Sequence, residues 1–142
     1  MFDTSILYDK FCIDIIENKI VVRDNFIDVI EFLKNTPEYC FDVLSSIVAV
    51  DLVDKIELIY QLYSTQTKQM CQVSYYCENF IAPSIVSVYK SAYFDECEIF
   101  DMFGVKFENN NSLKRLYMPE AWIGHPMLKS YKLNDERLAW NE

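Results

Sequence analysis

The chain has 142 residues, a formal net charge of −9 and 51 % hydrophobic side chains, ten of them Tyr and ten Phe, enough to build one domain around a sizeable core. An excess of 22 acidic over 13 basic residues repels phosphate backbones and anionic headgroups, which argues against nucleic acid or a lipid surface as partner. No apolar run reaches the ~20 residues of a spanning helix and MFDTSILYDK lacks the layout of a secretory leader, so a soluble protein without membrane insertion, staying in the compartment that made it, is expected.

Along the chain, residues 11–23 alternate weakly about the turn-like Glu17, Asn18 and Lys19, which predicts a short hairpin. From Phe26 to Asn35 the apolar positions Phe26, Val29, Ile30 and Leu33 keep helical spacing, with Asn25 placed to cap the first turn and Pro37 just beyond the end. Three strand-like runs follow, at residues 46–50, 56–63 and 70–77. All are rich in β-branched or aromatic residues, and their short connections predict antiparallel neighbours. Ile56, Leu58, Tyr60 and Leu62 share one face of the second run, and Cys71, Val73, Tyr75 and Cys77 one face of the third. These faces are the candidate core.

Residues 91–103 read as a helix stopped by Gly104, which can take the left-handed conformation at a helix end. Ala92, Ile99, Phe100 and Phe103 line one side of it, and Glu96 falls in the middle of that stripe. An ionised carboxylate isolated there costs several kcal/mol. Either Glu96 sits at the rim, exposed, or a cation meets it, and Arg115 is the candidate. No companion base, nucleophile or glycine-lined cavity supports a catalytic acid at this position.

Beyond Gly104 the sequence VKFENNNSLKRLYMPEAWIGHPMLKSYKLNDERLAWNE has no sustained period, and largely irregular backbone is predicted. A stretch that long is commonly disordered or ordered on a partner. Tyr117, Trp122, Tyr131 and Trp140 favour a partner, since large aromatics dominate interfaces; folding of Trp122 and Tyr117 back onto the domain's own sheet is the other reading. The expected organisation is a domain over residues 1–104, a small, mostly antiparallel sheet with packed helices, followed by a long irregular tail over residues 105–142.

Five widely spaced cysteines, Cys12, Cys40, Cys71, Cys77 and Cys97, form neither a disulfide framework nor a CxxC pair, and the one histidine, His125, has no Cys or His nearby to complete a zinc site. Buried structural thiols in a reducing cytoplasm are expected. With only two glycines, Gly104 and Gly124, neither a P-loop nor a dinucleotide fingerprint can be assembled.

The segments DECEIFDMFGVKF (95–107) and LKRLYMPEAWIGHPM (113–127) together resemble the signature of the 30 kDa (C-type) subunit family of respiratory complex I, the NADH:quinone oxidoreductase. Glu96 and Glu98 stand at the signature's two acids, with Cys97 where arginine is usual. Asp101, Phe103, Gly104 and Phe107 match directly, Lys114 and Arg115 keep a basic pair, and Gly124, His125 and Pro126 keep the second Gly-His-Pro. Asn109, Asn110 and Asn111 replace the first, and Lys129, Tyr131 and Leu133 survive of the final basic stretch. Weaker similarity reaches back through SSIVAVD and IELIYQLYS.

The resemblance implies an α+β domain over residues 1–104 with an extended partner-binding tail over residues 105–142, in a subunit without catalytic residues, cofactor or metal of its own. It would dock on the large subunit that helps form the quinone site and on an iron–sulfur small subunit, with the clusters in those neighbours, at the cytoplasmic face of the membrane. The same family serves membrane-bound energy-converting nickel–iron hydrogenases, whose large subunit is related, and the short length, missing motif elements and free cysteines lean toward that type. In this reading Glu96, Glu98, Asp101 and Arg115 hold the helix to the tail, Gly104 turns the chain, and Trp122, Gly124, His125, Pro126, Lys129 and Tyr131 grip the partner. Two rivals remain: a free-standing interaction module, and a redox enzyme using Cys71, Cys77 or Cys97 with His125 as base.

Overall fold

Period-two alternation in the middle of the chain becomes a five-stranded mixed sheet in the computed structural model, which describes residues 4–132. In chain order the elements are α1 (Ser5–Lys10), β1 (Ile13–Ile16), β2 (Lys19–Val22), α2 (Phe26–Asn35), β3 (Val43–Asp51), β4 (Ile56–Tyr63), β5 (Met70–Cys77), β6 (Ile81–Pro83), α3 (Ala92–Phe103) and β7 (Lys106–Glu108). The sheet runs β1-β2-β5-β4-β3 and is antiparallel except at the β2–β5 junction; β6 and β7 form a separate parallel pair.

The predicted hairpin is β1–β2. Glu17 and Asn18 both have positive φ (51° and 65°), as a two-residue turn matched to strand twist requires. The helix α2 has its predicted bounds, but Asn25 does not cap it through its side chain. Asn25 sits at φ 54° with no side-chain bond to the first turn, so its use there is tolerance of the left-handed conformation. Strands β4 and β5 also match their predicted bounds, while β3 is longer than residues 46–50 because a register shift at Leu44/Ser46 lets pairing continue to Val43.

One face of the sheet makes the core. Ile56, Leu58, Tyr60, Leu62 and Val73 are fully buried, and Val29, Ile30 and Leu33 of α2 join the same cluster, each such side chain contributing roughly 1.5–3 kcal/mol on burial. The Phe26 ring packs at a tilt 4.8 Å from that of Tyr60 and 5.0 Å from that of Tyr75, seating α2 across β4 and β5. Tyr75 itself is only half-buried.

Helix α3 lies along the outer edge of β3, and its Asp95 carboxylate accepts the Ile47 N–H at 2.9 Å. An edge strand that would otherwise offer unpaired amides is thereby covered. Burial raises the Asp95 carboxyl above its usual range, opposed by the Ile47 amide.

Candidate docking site

The buried acids of α3 and the irregular segment after β7 form one structure. Asp101 is fully buried. Its Oδ2 accepts three consecutive backbone amides, Leu116 at 3.1 Å, Tyr117 at 2.7 Å and Met118 at 3.0 Å. Its Oδ1 accepts Arg115 Nη1 at 2.8 Å. Arg115 Nη2 reaches on to the carbonyls of Trp122 (3.0 Å) and Gly124 (3.1 Å). One carboxylate and one guanidinium thus fix the path of the chain from 115 to 124. Burial alone would raise the Asp101 carboxyl; the amides of Met118 and Tyr117, the Arg115 guanidinium and the Leu116 amide outweigh it and hold the group below its usual range.

The next residues continue the seam. His125 Nδ1 lies 3.0 Å from the Asp101 carbonyl oxygen, Met127 N–H donates to Met102 O at 3.0 Å, and Lys129 N–H donates to Asp51 Oδ2 at 2.7 Å. Gly104 ends α3 at φ 78°, and a Cβ there would meet the His125 ring at 2.6 Å. The glycine is therefore required both by the left-handed turn and by the imidazole lying on it. At Gly124, φ is 94° and the Tyr131 ring lies where a Cβ would touch it at 3.1 Å.

Glu96 is where the sequence reading needs correction. It is fully buried, 0 % exposed, and Arg115 is not its partner. Its carboxylate accepts the Ser84 hydroxyl (2.8 Å to Oε2), the Ile85 N–H (2.9 Å) and the Asn110 amide (2.8 Å), all neutral donors. Burial raises its pKa above the usual range, countered by Ile85, Asn110 and Ser84. Arg115 goes to Asp101 instead, because the chain after Asn110 turns back over the C-terminal half of the helix. Glu98 faces outward and is exposed.

Reading the residue pattern alone missed Ser84, Asn110 and Asp51. Asn110 stands where the family's first Gly-His-Pro was expected, and in the fold it links Glu96 to the start of the tail. A second polar cluster was also missed, on the sheet face away from the core. There Glu57 Oε1 accepts Lys19 Nζ at 2.7 Å and Ser74 Oγ at 2.8 Å, and the bond to Glu57 raises the Lys19 pKa.

The tail's aromatics divide. Trp122 and Tyr131 are half-buried, as are Pro126 and Leu128, whereas Tyr117 (66 % exposed), Ile123 (70 %) and Met127 (57 %) point outward. Trp140 and Leu133 lie outside the described residues.

The cysteines differ from expectation in that only Cys71, Cys77 and Cys97 are buried; Cys40 is half-buried and Cys12 exposed. Burial pushes Cys71 and Cys77 up to about 12, the opposite of an activated thiol. Among the described residues no three His, Cys, Asp or Glu side chains gather as metal ligands, and no helix is long and apolar enough to cross a membrane.

Residues 20–137 match the family described as the respiratory-chain NADH dehydrogenase 30 Kd subunit. The chain belongs to that family. Among similar proteins, the C-type subunit of the NADH-quinone oxidoreductase of Roseiflexus sp. (strain RS-1) is 34 % identical over 122 residues, covering 82 % of this chain and 70 % of the relative. The C/D-type subunit of the NADH-quinone oxidoreductase of Sulfurihydrogenibium sp. (strain YO3AOP1) is 32 % identical over 117 residues, 80 % of this chain but 20 % of that longer protein. Among solved structures, one chain of the membrane-bound sulfane sulfur reductase, an archaeal respiratory membrane complex, superposes with a TM-score of 0.69 over 97 % of this chain and 85 % of its own length. Identity there is 22 %, so that likeness speaks to the fold alone. This 30 kDa-type subunit carries the α3–tail signature beside its five-stranded sheet among the described residues.

Proposed function

We propose that this chain is a structural subunit of a membrane-associated, complex I-type oxidoreductase, without a redox site or metal of its own. It docks through the α3–tail seam on the large subunit that carries the quinone site or, in a hydrogenase-type complex, the nickel–iron site. Iron–sulfur clusters belong to neighbouring subunits, one of them a small iron–sulfur protein in contact with this chain. The assembly lies on the cytoplasmic side of the membrane.

The observation that carries this reading is the binding of an irregular segment by Asp101 and Arg115, which leaves Tyr117, Ile123 and Met127 outward. A buried ion pair with three amide donors fixes backbone; outward aromatic and apolar side chains on fixed backbone are what an interface uses. The relative named as a C/D-type subunit supports a D-type large subunit as the partner, because its name joins the two in one chain. The thiol-enzyme reading is disfavoured by the raised Cys71 and Cys77 and by His125, whose Nδ1 is engaged with backbone and whose ring packs on Gly104.

The test is an affinity pull-down of the tagged chain from native membranes in mild detergent, with partners identified by mass spectrometry and the eluate assayed for NADH–quinone and hydrogenase activity. Recovery of a large subunit with iron–sulfur proteins is expected, and the activity present distinguishes the two complex types. A chain recovered alone would overturn the assembly role and return the free-standing module to first place.

A further inference from the structure

The turn between β3 and β4 carries a feature that the fold does not need. Val53 has φ 79°, a left-handed backbone that β-branched residues avoid, and its side chain is 78 % exposed. A glycine or asparagine would suit that conformation better, and an exposed valine contributes nothing to the core. Neighbouring Leu52 is exposed as well. The turn is nonetheless well fixed: Asp51 Oδ1 accepts the Val53 N–H at 2.7 Å and Leu52 N–H donates to Lys55 O at 2.9 Å.

The other oxygen of Asp51 accepts the Lys129 amide, two residues beyond the outward-facing Met127. One carboxylate therefore sews the hairpin tip to the tail. From this we infer that the Leu52–Val53 tip is a preset apolar anchor continuous with the tail's docking face, seated on the same large subunit. Its complement there is an apolar patch, since Asp51 and Asp54 beside the tip are offset by Lys55 and Lys129 and leave no single sign of charge to match. This rests on the docking reading above and extends it to an element 70-odd positions earlier in the chain.

The experiment compares Val53→Gly and Val53→Asn in the full-length tagged chain with Ile123→Ala in the tail. It measures both the melting temperature of the isolated chain and the yield of large subunit in the pull-down. Glycine and asparagine relieve the backbone and remove the apolar group, so the melting temperature should hold or rise while recovery of the large subunit falls about ten-fold, the loss expected for one buried valine. Val53→Ile should retain the complex. If Ile123→Ala lowers recovery and neither Val53→Gly nor Val53→Asn does, the anchor is refuted and the docking reading stands. If none of the three lowers it, both fall together. A lower melting temperature in both Val53 variants would show that the residue serves the fold, and would also overturn the anchor.

Discussion

Replacing Asp101 by asparagine changes no shape, only charge and one hydrogen-bonding face, and the structure says what that costs. The side chain can keep its oxygen toward the amides of Leu116, Tyr117 and Met118 only by turning its new NH2 group toward Arg115, a donor facing a donor. The reverse orientation sets NH2 against three N–H groups. Either way the Arg115 guanidinium, whose side chain is 13 % exposed, loses its counter-charge. Breaking one partner of a buried ion pair costs about 3–5 kcal/mol, and charge-assisted bonds about 1.5–3 kcal/mol each. Because asparagine retains part of the bonding, about 3–4 kcal/mol is expected, a large share of the roughly 5–15 kcal/mol that a domain possesses.

Thermal unfolding followed by circular dichroism should show a melting temperature lower by about 10 °C, and hydrogen exchange should be faster at Leu116, Tyr117 and Met118, which lose their acceptor directly, than at the β4–β5 amides, which feel only the loss of global stability. The pH dependence has a fixed sign. A carboxyl held below its usual range in the folded state stabilises above its unfolded pKa, and that contribution is lost as pH falls through the folded value. The gap between wild type and Asp101→Asn should therefore close on acidification. A melting temperature within about 3 °C of wild type at neutral pH, with the three amides still protected, would refute this account of the seam.

Glu96 carries the opposite sign: its raised pKa favours the folded state at low pH, and the benefit is lost as pH rises through the folded value, so Glu96→Gln should gain on wild type in urea unfolding as pH rises across that range. Gly104→Ala should cost about 2–4 kcal/mol from left-handed strain plus collision with His125, and in a double-mutant cycle with His125→Ala the pair should cost less than the sum. Purely additive costs would mean that the imidazole does not press on this turn. Thiol titration with an aromatic disulfide at pH 8 should modify Cys12 first and Cys40 next, with Cys71 and Cys77 reacting only in denaturant; a fast buried thiol would restore the redox reading.

How far the sequence could be read depends on which physics was local. The bounds of α2, β4 and β5 follow from hydrophobic period, and the end of α3 from a glycine that must turn left, so all four were legible. The parallel β2–β5 junction and the β6–β7 pair were not, because pairing between segments more than fifty positions apart for β2–β5, and about twenty-five for β6–β7, leaves no periodic trace. Glu96 was rightly marked as a charge in an apolar stripe, but its partners are a hydroxyl, a backbone amide and an asparagine. Period and charge counting favour a cation, and neutral donors supplied by loops have no sequence signal. Asp101 was legible as a member of a signature, though not as the receiver of three amides, since that depends on the path of the chain after Arg115.

The position of the family signature has a physical reason. Irregular backbone must still satisfy its buried polar groups, and a segment whose side chains are turned outward has few internal partners to offer. Helix α3 and its neighbours supply them: the Asp101 carboxylate takes three amides, the Asp101 carbonyl faces His125, Met102 O takes Met127, and Asp51 takes Lys129. The buried Asp101 is here an acceptor for backbone. The matched residues Asp101, Gly104, Arg115, Gly124 and His125 act on the tail's main chain or on the turn that it covers, whereas the matched Glu96 meets Ser84, the Ile85 amide and one departure from the signature, Asn110. Exchanging Asn110 for histidine should disturb the bond to Glu96 and the Ser112 N–H bond to Asn110 Oδ1, and leave Asp101–Arg115 intact. Exchange rates at Leu116 to Met118 would then be unchanged, and acceleration there would mean that the two buried acids act as one cooperative unit.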